Sequence, residues 1–560
     1  MQNKDHHTKG NEAIKQNNYL KAWKEYTRAL IKDSRNPILW CNRSLACLKG
    51  GWPELALVDT VKAEELCISD INKLNSDVEL QKLLFKSRYR YAEAMAALGI
   101  PILAGRAYHL LLKEFQFYSI VSNSDRKLCN IKGDIYLQLA NVQRTVLREQ
   151  ANEDKIIITN EGSGWYKFKG NYPWDCRLYN RLSKESLEKM QKNLNFASQN
   201  KLEIKEVSFY EEDNNQINNN KLKELGIVTK RDISDGEILL EEDPFITVHD
   251  YSQFRCDFCF HKLTESSNDS KYPVKYPCLN SECKEFFCDS KCYNSAMNLY
   301  HQQLCGKNID NLIKYVQNDL DGINLLVLFA LKLFAIAKNR NICPLDIDEI
   351  KHLSRNSTHP RIYNDHNIFG SDIEFAYTEI LKVLNISLFD LRYDFWVFIT
   401  ILALVEPNAF EGPPKHDDTE ISPETAALFS LSSMFNHNCD PNTIHFEALS
   451  ESYIFDDQHT MKLWRMVYKE KGTHSFRMFI ISNKAIKKGE EIFFSYIDEN
   501  QSKFRRQGNL LVTFKFECNC NRCKAENGRY VQKPVAWNLY YLENETKLVG
   551  NNIDISENEI

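Results

Sequence analysis

Eight cysteine and histidine side chains crowd into fifty residues: Cys256 and Cys259 form a C-x-x-C pair, and Cys278, Cys283, Cys288, Cys292, His301 and Cys305 follow. Thiolate and imidazole are the ligands of tetrahedral zinc, four to each ion, so eight of them predict two structural zinc ions. Cys288/Cys292 and His301/Cys305 are each spaced i, i+4, which puts both members of a pair on one helix face. The segment has few large apolar residues, so metal binding must supply its folding energy. A second cluster, Cys518, Cys520 and Cys523 in FECNCNRC, leaves a tetrahedral zinc one ligand short, and the fourth must come from elsewhere. Between the clusters lie two polar segments, NHNCDPN at 436–442 and GEEIFFSY at 489–496.

Such sites need elements to carry them. A chain of 560 residues exceeds one core, and roughly two to four domains are expected. Hydrophobic residues at 43% and charged residues at 26% suit an ordinary globular protein, not a disordered, collagenous or coiled-coil one. A formal charge of −5 supplies no basic field to neutralise phosphates, which argues against direct nucleic-acid binding. Residues 1–10 have no apolar stretch, so no signal peptide is expected. The most apolar run, 323–337, is interrupted by Lys332 and is shorter than the roughly 20 residues of a membrane span, so it reads as a buried helix. Inside the cell, clustered thiols hold metal rather than disulfides. No strongly basic run marks nuclear import, which leaves cytoplasm and nucleus both open.

The pattern of apolar residues predicts short strands at 238–240, 245–248, 476–481 and 492–496, and helices within 310–339 and 375–404. Residues 152–220, with Gly162, Gly164, Gly170, Pro173 and an acidic, asparagine-rich end, read as a loop-rich connector. The N-terminal part repeats with a period of 34: the small positions Gly10/Ser44, Ala22/Ala56 and Ala29/Ala63 recur, and Ala92 and Ala104 open a third copy near Lys86. Small residues at such spacing let helices touch. These copies resemble tetratricopeptide repeats. Some tetratricopeptide domains hold the C-termini of heat-shock chaperones in a carboxylate clamp of two asparagines, two lysines and an arginine. By that resemblance Asn11, Asn42, Lys86 and Arg90 fall at clamp positions, and His7 stands where the family has a lysine. Such a clamp should strengthen as pH falls through the histidine range.

Taken in order, NHNC, the GEE-to-tyrosine strand and the CNC-x2-C cluster resemble a SET domain, and the eight-ligand segment resembles a MYND zinc finger. A finger inserted in a SET domain is the arrangement of SET and MYND (SMYD) lysine methyltransferases, some of which carry tetratricopeptide repeats ahead of it. The resemblance covers residues 9–525 by organisation. It implies that Cys256, Cys259, Cys288 and Cys292 hold one zinc, and that Cys278, Cys283, His301 and Cys305 hold another. The second pair is C-x4-C where the finger usually has C-x2-C. Cys439 would complete a third site with Cys518, Cys520 and Cys523. S-adenosylmethionine would meet Gly226, Asn408, Asn436, His437 and Phe516, with Phe516 over the adenine and the Tyr496 hydroxyl at the transfer centre. Glu224 replaces the first glycine of the usual G-x-G, which puts cofactor affinity in question.

The expected architecture is multidomain α+β: an all-α tetratricopeptide solenoid at 1–121, a connector at 122–220, and a mainly β SET domain. That domain divides into an N-terminal part at 221–255, the finger at 256–305, a helical insert at 306–407 and the catalytic core at 408–500. A post-SET zinc cluster at 501–525 and a tail at 526–560 follow. The expected function is methyl transfer from S-adenosylmethionine to a lysine of a protein, histone or non-histone. The alternative is a non-catalytic adaptor that recruits partners through repeats and finger. Tyr496 and NHNC favour the enzyme; Glu224 favours the adaptor.

Overall fold

The computed structural model describes residues 2–74, 78–98, 101–117, 131–141, 172–175, 183–209, 222–249, 251, 255–261, 263–264, 274–317, 325–355, 371–411, 425–447, 458–471, 477–514 and 516–526. Six consecutive helices open the chain: α1 (Gln2–Lys15), α2 (Tyr19–Lys32), α3 (Pro37–Gly50), α4 (Pro53–Leu74), α5 (Val78–Ala97) and α6 (Pro101–Phe117), each packed on its successor. Their ends are written in the sequence. Asn18 caps α2 by accepting from the Lys21 amide, Asn36 caps α3 from the Ile38 amide with Pro37 beside it, and Gly51 closes α3 at φ 77°. The recurring small residues are the contact points: Ala22, Ala29, Ser44, Ala56 and Ala63 are fully buried. At Gly10 a Cβ would lie 2.4 Å from the Tyr26 ring, so only glycine lets α1 and α2 approach this closely.

This arm is docked on the rest of the chain through charge as well as apolar surface. Arg43, from α3, donates to both oxygens of Asp59 at 2.6 and 2.8 Å and to Asp394 at 2.8 Å, while Lys62 reaches Asp394 at 2.7 Å. All four are buried, and both cations lie over the Trp40 ring. Asp394 is also the N-cap of a helix in the expected insert region. Trp174 lies between the two parts, stacked 3.7 Å from Trp23 and edge-on to Trp52 and Trp396.

The connector reading needs correction where the structure describes it. Residues 152–220 contain a helix, α7 (Lys184–Ala197), capped by Ser183, and a strand, β1 (Leu202–Phe209). β1 pairs antiparallel along its length with β2 (Leu222–Thr229). Polar loop composition masked an amphipathic helix whose Met190 and Leu194 are buried. The glycines and the asparagine-rich end lie outside the described residues.

The helical expectations become pairs. After α8 (Ser290–Ala296), the region 310–339 holds α9 (Asp310–Gln317) and α10 (Leu325–Arg340); the region 375–404 holds α11 (Ser371–Val383) and α12 (Phe395–Val405), with a 3-10 turn at Leu391–Tyr393 between them. α12 is apolar along its length and buried, and α10 is buried from Val327 to Ala337 and ends in the polar residues Lys338, Asn339 and Arg340, as suits helices at the centre of a large core. Among the described residues no helix is long and apolar enough to cross a membrane. The strands form small sheets. β3 (Ile238–Glu242) and β10 (Thr443–Glu447) flank β11 (Met478–Ser482), and β4 (Ile246–His249) and β7 (Ala409–Glu411) flank β8 (Thr425–Leu428). β9 (Asn436–His437) and β12 (Phe493–Phe494) form a two-residue parallel pair, and β5 (Tyr276–Pro277) pairs with β6 (Phe286–Phe287).

Candidate active site and zinc centres

Three groups of four ligand atoms each gather within 4.8 Å of one another: Cys256, Cys259, Cys288 and Cys292; Cys278, Cys283, His301 and Cys305; Cys439, Cys518, Cys520 and Cys523. The spacing suits zinc. A tetrahedron with Zn–S bonds of about 2.3 Å has edges of about 3.8 Å. Sulfur atoms lie 3.6 Å apart at Cys259/Cys288, 3.5 Å at Cys278/Cys305, and 3.8 and 3.5 Å from Cys439 to Cys518 and Cys523. His301 Nε2 stands 3.5 Å from Cys278 and 3.6 Å from Cys283. Despite the longer C-x4-C spacing, Cys278 lies with its partners, and β5 and β6 carry the chain there.

Lys332, an interruption of an apolar run when read in sequence, anchors the first of these groups. Its ammonium lies 2.7 Å from Asp257 Oδ1 and 3.0 Å from the Asp257 carbonyl, and Tyr300 donates to the same carboxylate and carbonyl. The carboxyl of Asp257, pushed up by burial, is held below its ordinary range chiefly by Lys332. α10 therefore grips the segment between Cys256 and Cys259 by a buried ion pair.

Around NHNC the chain crosses itself. β9 and β12 are each only two residues long, so side chains supply the bonds that a ladder this short lacks. Asn442, the last residue of NHNCDPN, donates to the Glu491 carbonyl and accepts from the Phe493 amide, both at 2.8 Å; Thr443 donates to the Phe493 carbonyl. Asn436 Nδ2 reaches Glu491 Oε1 at 2.8 Å and the Leu225 carbonyl at 3.1 Å. Burial raises the Glu491 carboxyl, and the Asn436 bond opposes the rise. Gly226 is needed at this point: a Cβ would lie 2.5 Å from Glu491 Oε1 and 2.9 Å from Val207.

His437 faces two ways. Its Nδ1 accepts from the Tyr496 amide at 3.0 Å, which leaves the ring proton on Nε2, 3.3 Å from Cys439 Sγ. The Cys439 thiol is held well below the ordinary range by its contact with Cys518, then by His437 and Arg506. The Tyr496 hydroxyl donates to the Phe435 carbonyl at 2.6 Å. Phe514 stands 4.7 Å from the Tyr496 ring, and Phe516 lies 6.4 Å from Tyr496 and 6.1 Å from His437.

Residues 224–497 match the SET domain family. Over those residues the chain is similar to SET domains, and the relatives it matches include proteins named for SET and MYND domains. It is 25% identical to a SET and MYND domain-containing protein of Dictyostelium discoideum over 51% of this chain and 76% of that one. It is 24% identical to the histone-lysine N-methyltransferase ASHR1 of Arabidopsis thaliana over 55% and 54%. With the SET domain-containing protein SmydA-8 of Drosophila melanogaster the identity is 23% over 57% and 59%. The chain thus spans little more than half the length of the second and third of these relatives.

Asn436, His437, Gly226, Tyr496 and Phe516 come together, as do Cys439 and the last three cysteines. Asn408 does not join them through its side chain: Nδ2 donates to the Ser354 and Leu404 carbonyls at 2.8 and 2.6 Å, closing the end of α12. The backbone of Glu224 pairs with Val207. Sequence reasoning missed Asn442, Glu491 and Phe514. The first two lie inside motifs already singled out, and their type, an amide and a carboxylate at a chain crossing, was the available signal.

In the N-terminal helices, His7, Asn11 and Asn42 meet. Asn42 Nδ2 lies 3.1 Å from His7 Nε2 and 3.4 Å from Asn11 Oδ1, which also accepts from the Tyr26 hydroxyl. Arg90 donates to the carbonyl of Cys41, the residue before Asn42, and Lys86 and Arg90 both act on the buried Cys41 thiol. Burial lowers His7 below its ordinary range.

Proposed function

We propose that this chain is a protein-lysine N-methyltransferase that uses S-adenosylmethionine and acts in the nucleus or cytoplasm. The observation that carries the reading is the Tyr496 hydroxyl, bonded to the Phe435 carbonyl at the crossing of β9 and β12. An oxygen that gives its hydrogen to a carbonyl keeps its lone pairs fixed in direction. Tyr496 can therefore orient the amine of an incoming lysine. Transfer between a sulfonium and an amine is an in-line displacement, and alignment and exclusion of water do most of its catalysis.

The residues present fit the cofactor. A sulfonium is a cation, and the Tyr496, Phe514, Phe516 and His437 rings together with the Glu491 carboxylate form surroundings that favour one. Gly226, Asn436 and His437 would hold its methionine and nucleoside parts, with Phe516 against the adenine, and the cofactor supplies the methyl group. Tyr496 positions the substrate nitrogen, which must reach the site without its proton. Three zinc ions, two in a MYND-type finger and one shared by Cys439 with the last cluster, would hold the surrounding loops. The adaptor alternative draws no support from a crossing in which each polar group is so closely placed.

The test is to incubate the purified full chain with labelled S-adenosylmethionine and native cell extract, beside Tyr496→Phe. Labelled protein is expected with the wild type and not with the variant, while calorimetry finds cofactor bound to both. Equal labelling, or no cofactor binding by the wild type, overturns the reading.

A second activity is supported by the cluster of His7, Asn11, Asn42, Lys86 and Arg90. We propose that the arm is a tetratricopeptide domain whose groove takes the acidic C-terminal peptide of a heat-shock chaperone, with amide and charged donors around the terminal carboxylate. Capping that carboxylate as an amide should abolish binding; undiminished binding of the amide rules the clamp out.

A further inference from the structure

Glu242 is a buried carboxylate that, among the described residues, accepts from backbone amides and a hydroxyl, and it has no part in the chemistry described above. It ends β3, with its side chain turned to the segment that precedes NHNC. Oε1 accepts from the Leu431 amide at 2.8 Å, and Oε2 accepts from the Ser432 amide at 2.7 Å and the Ser432 hydroxyl at 2.6 Å. These donors open the 3-10 turn Ser432–Met434, which ends at Phe435. Phe435 is the residue whose carbonyl receives the Tyr496 hydroxyl.

We propose that Glu242 is a positioning residue for methyl transfer: its carboxylate fixes the 3-10 turn, and the turn fixes the Phe435 carbonyl that aims the Tyr496 phenol. The inference rests on the methyltransferase reading. The chemistry of the nest demands a carboxylate. Every group turned to it is a donor, and only an ionised acid accepts from all of them without presenting a hydrogen of its own. A glutamine would turn an NH2 against amide hydrogens, and a protonated glutamate would do the same with its hydroxyl. Burial pushes the Glu242 carboxyl up to about 7, while the Ser432 hydroxyl and the Leu431, Ser432 and Ser430 amides pull it back. Among the described residues, other charged or titratable groups border this region: His352 approaches the same segment with Nε2 3.1 Å from the Ser430 carbonyl, and Arg477, just ahead of β11, is paired with Glu241 and Asp243.

The alternative is a carboxylate that caps a turn for stability alone, and the two differ in what they do to rate. The experiment compares wild type, Glu242→Gln and Ser432→Ala as full chains with zinc content verified. Glu242→Gln is expected to lower kcat roughly tenfold to a hundredfold, the range for a misplaced catalytic group, with little change in KM for S-adenosylmethionine. Ser432→Ala keeps the acid and removes one donor, and should lower kcat roughly threefold to tenfold. The pH profile separates positioning from stability. Transfer to a neutral amine makes log kcat/KM rise with unit slope below the lysine pKa. A requirement for ionised Glu242 adds a second unit of slope below about pH 7, which Glu242→Gln should remove.

Folded, zinc-loaded Glu242→Gln with wild-type kcat, or with the wild-type slope, overturns the inference while leaving methyl transfer intact. A wild type inactive toward every extract overturns the methyltransferase reading instead. Hydrogen exchange of amides 430–437 then still decides the local claim. It should quicken in Glu242→Gln, and unchanged exchange would show that the carboxylate does not hold the turn.

Discussion

Along the arm, helices of 14 to 22 residues meet at fully buried alanines, and the contact repeats every 34 residues. At the candidate site, β9 and β12 meet over two residues each, and almost every bond that holds them is made by a side chain: Asn442 to Glu491 and Phe493, His437 to the Tyr496 amide, Glu242 to the turn ahead of NHNC. Long elements position their residues by periodic packing, which tolerates small changes at any one point. A crossing of two-residue strands has no such redundancy, so it depends on groups that cannot be exchanged: thiolates, an imidazole with two faces, amides with both a donor and an acceptor. Even the arm adopts this second method at one place. Where it docks on α12, apolar packing is supplemented by Arg43, Lys62, Asp59 and Asp394, all buried.

The largest expected effect separates the two regions by metal. Structural zinc contributes about 10–16 kcal/mol of apparent folding energy to a small site. Chelation should therefore unfold the finger and the C-terminal cluster while the helical signal of the arm persists in circular dichroism. Elemental analysis should find three zinc ions per chain, and two in Cys439→Ser. A count of two in undamaged wild type would remove one site from the comparison.

The docking network comes next. Asp394→Ala leaves Arg43 and Lys62 buried without one shared partner, and should cost about 3–5 kcal/mol in denaturant unfolding with zinc content unchanged. A loss below about 1 kcal/mol would mean that apolar packing alone docks the arm. Although burial raises the Asp394 carboxyl, Arg43 and Lys62 hold it well below its ordinary range. Its contribution is therefore present at all pH values above the usual carboxylate range and is lost only as pH falls below that range, so docking should not vary between pH 6 and 8.

Tyr496→Phe should lower turnover by about 10²–10³, in the range for removal of one oriented hydrogen-bonding group, with cofactor affinity retained. Loss of cofactor binding in this variant would show that the crossing tolerates less than a single hydroxyl. The smallest effect lies in the arm. Lys86→Ala and Arg90→Ala should each weaken an acidic C-terminal peptide by about 1.5–3 kcal/mol, measured by calorimetry, and added salt should weaken it further. Because burial lowers His7, its help to a bound carboxylate begins only below its ordinary value of 6.5. Affinity that rises as pH falls from 7 to 5, and does so less in His7→Ala, places His7 in the groove.

Much of this was legible in the sequence because it depends on spacing along one chain. The 34-residue recurrence of small residues marked where helices touch, and the first two ordered motifs marked the stretch that matches the SET family. The i, i+4 pairs marked shared ligand groups but not shared helix faces: Cys288 precedes the helix Ser290–Ala296 that carries Cys292, and Cys305 caps the turn that follows His301. Other features escaped for a physical reason. α7 and β1 lie in a segment whose polar composition resembles a loop, and only pairing with β2 reveals the strand. Lys332 reads as a flaw in an apolar helix until Asp257, 75 residues away, comes within 2.7 Å. Asp394 meets Arg43 across 351 residues, and Glu242 meets Ser432 across 190. A buried charge is a cost or a bond depending wholly on what faces it, and sequence specifies the charge without the partner. Residue types and local spacing thus determined the ligands, the helices and the order of the motifs. The tertiary structure decided which carboxylates are paired, which way the His437 ring turns and which carbonyl the Tyr496 hydroxyl bonds, because those bonds join elements that only folding brings together.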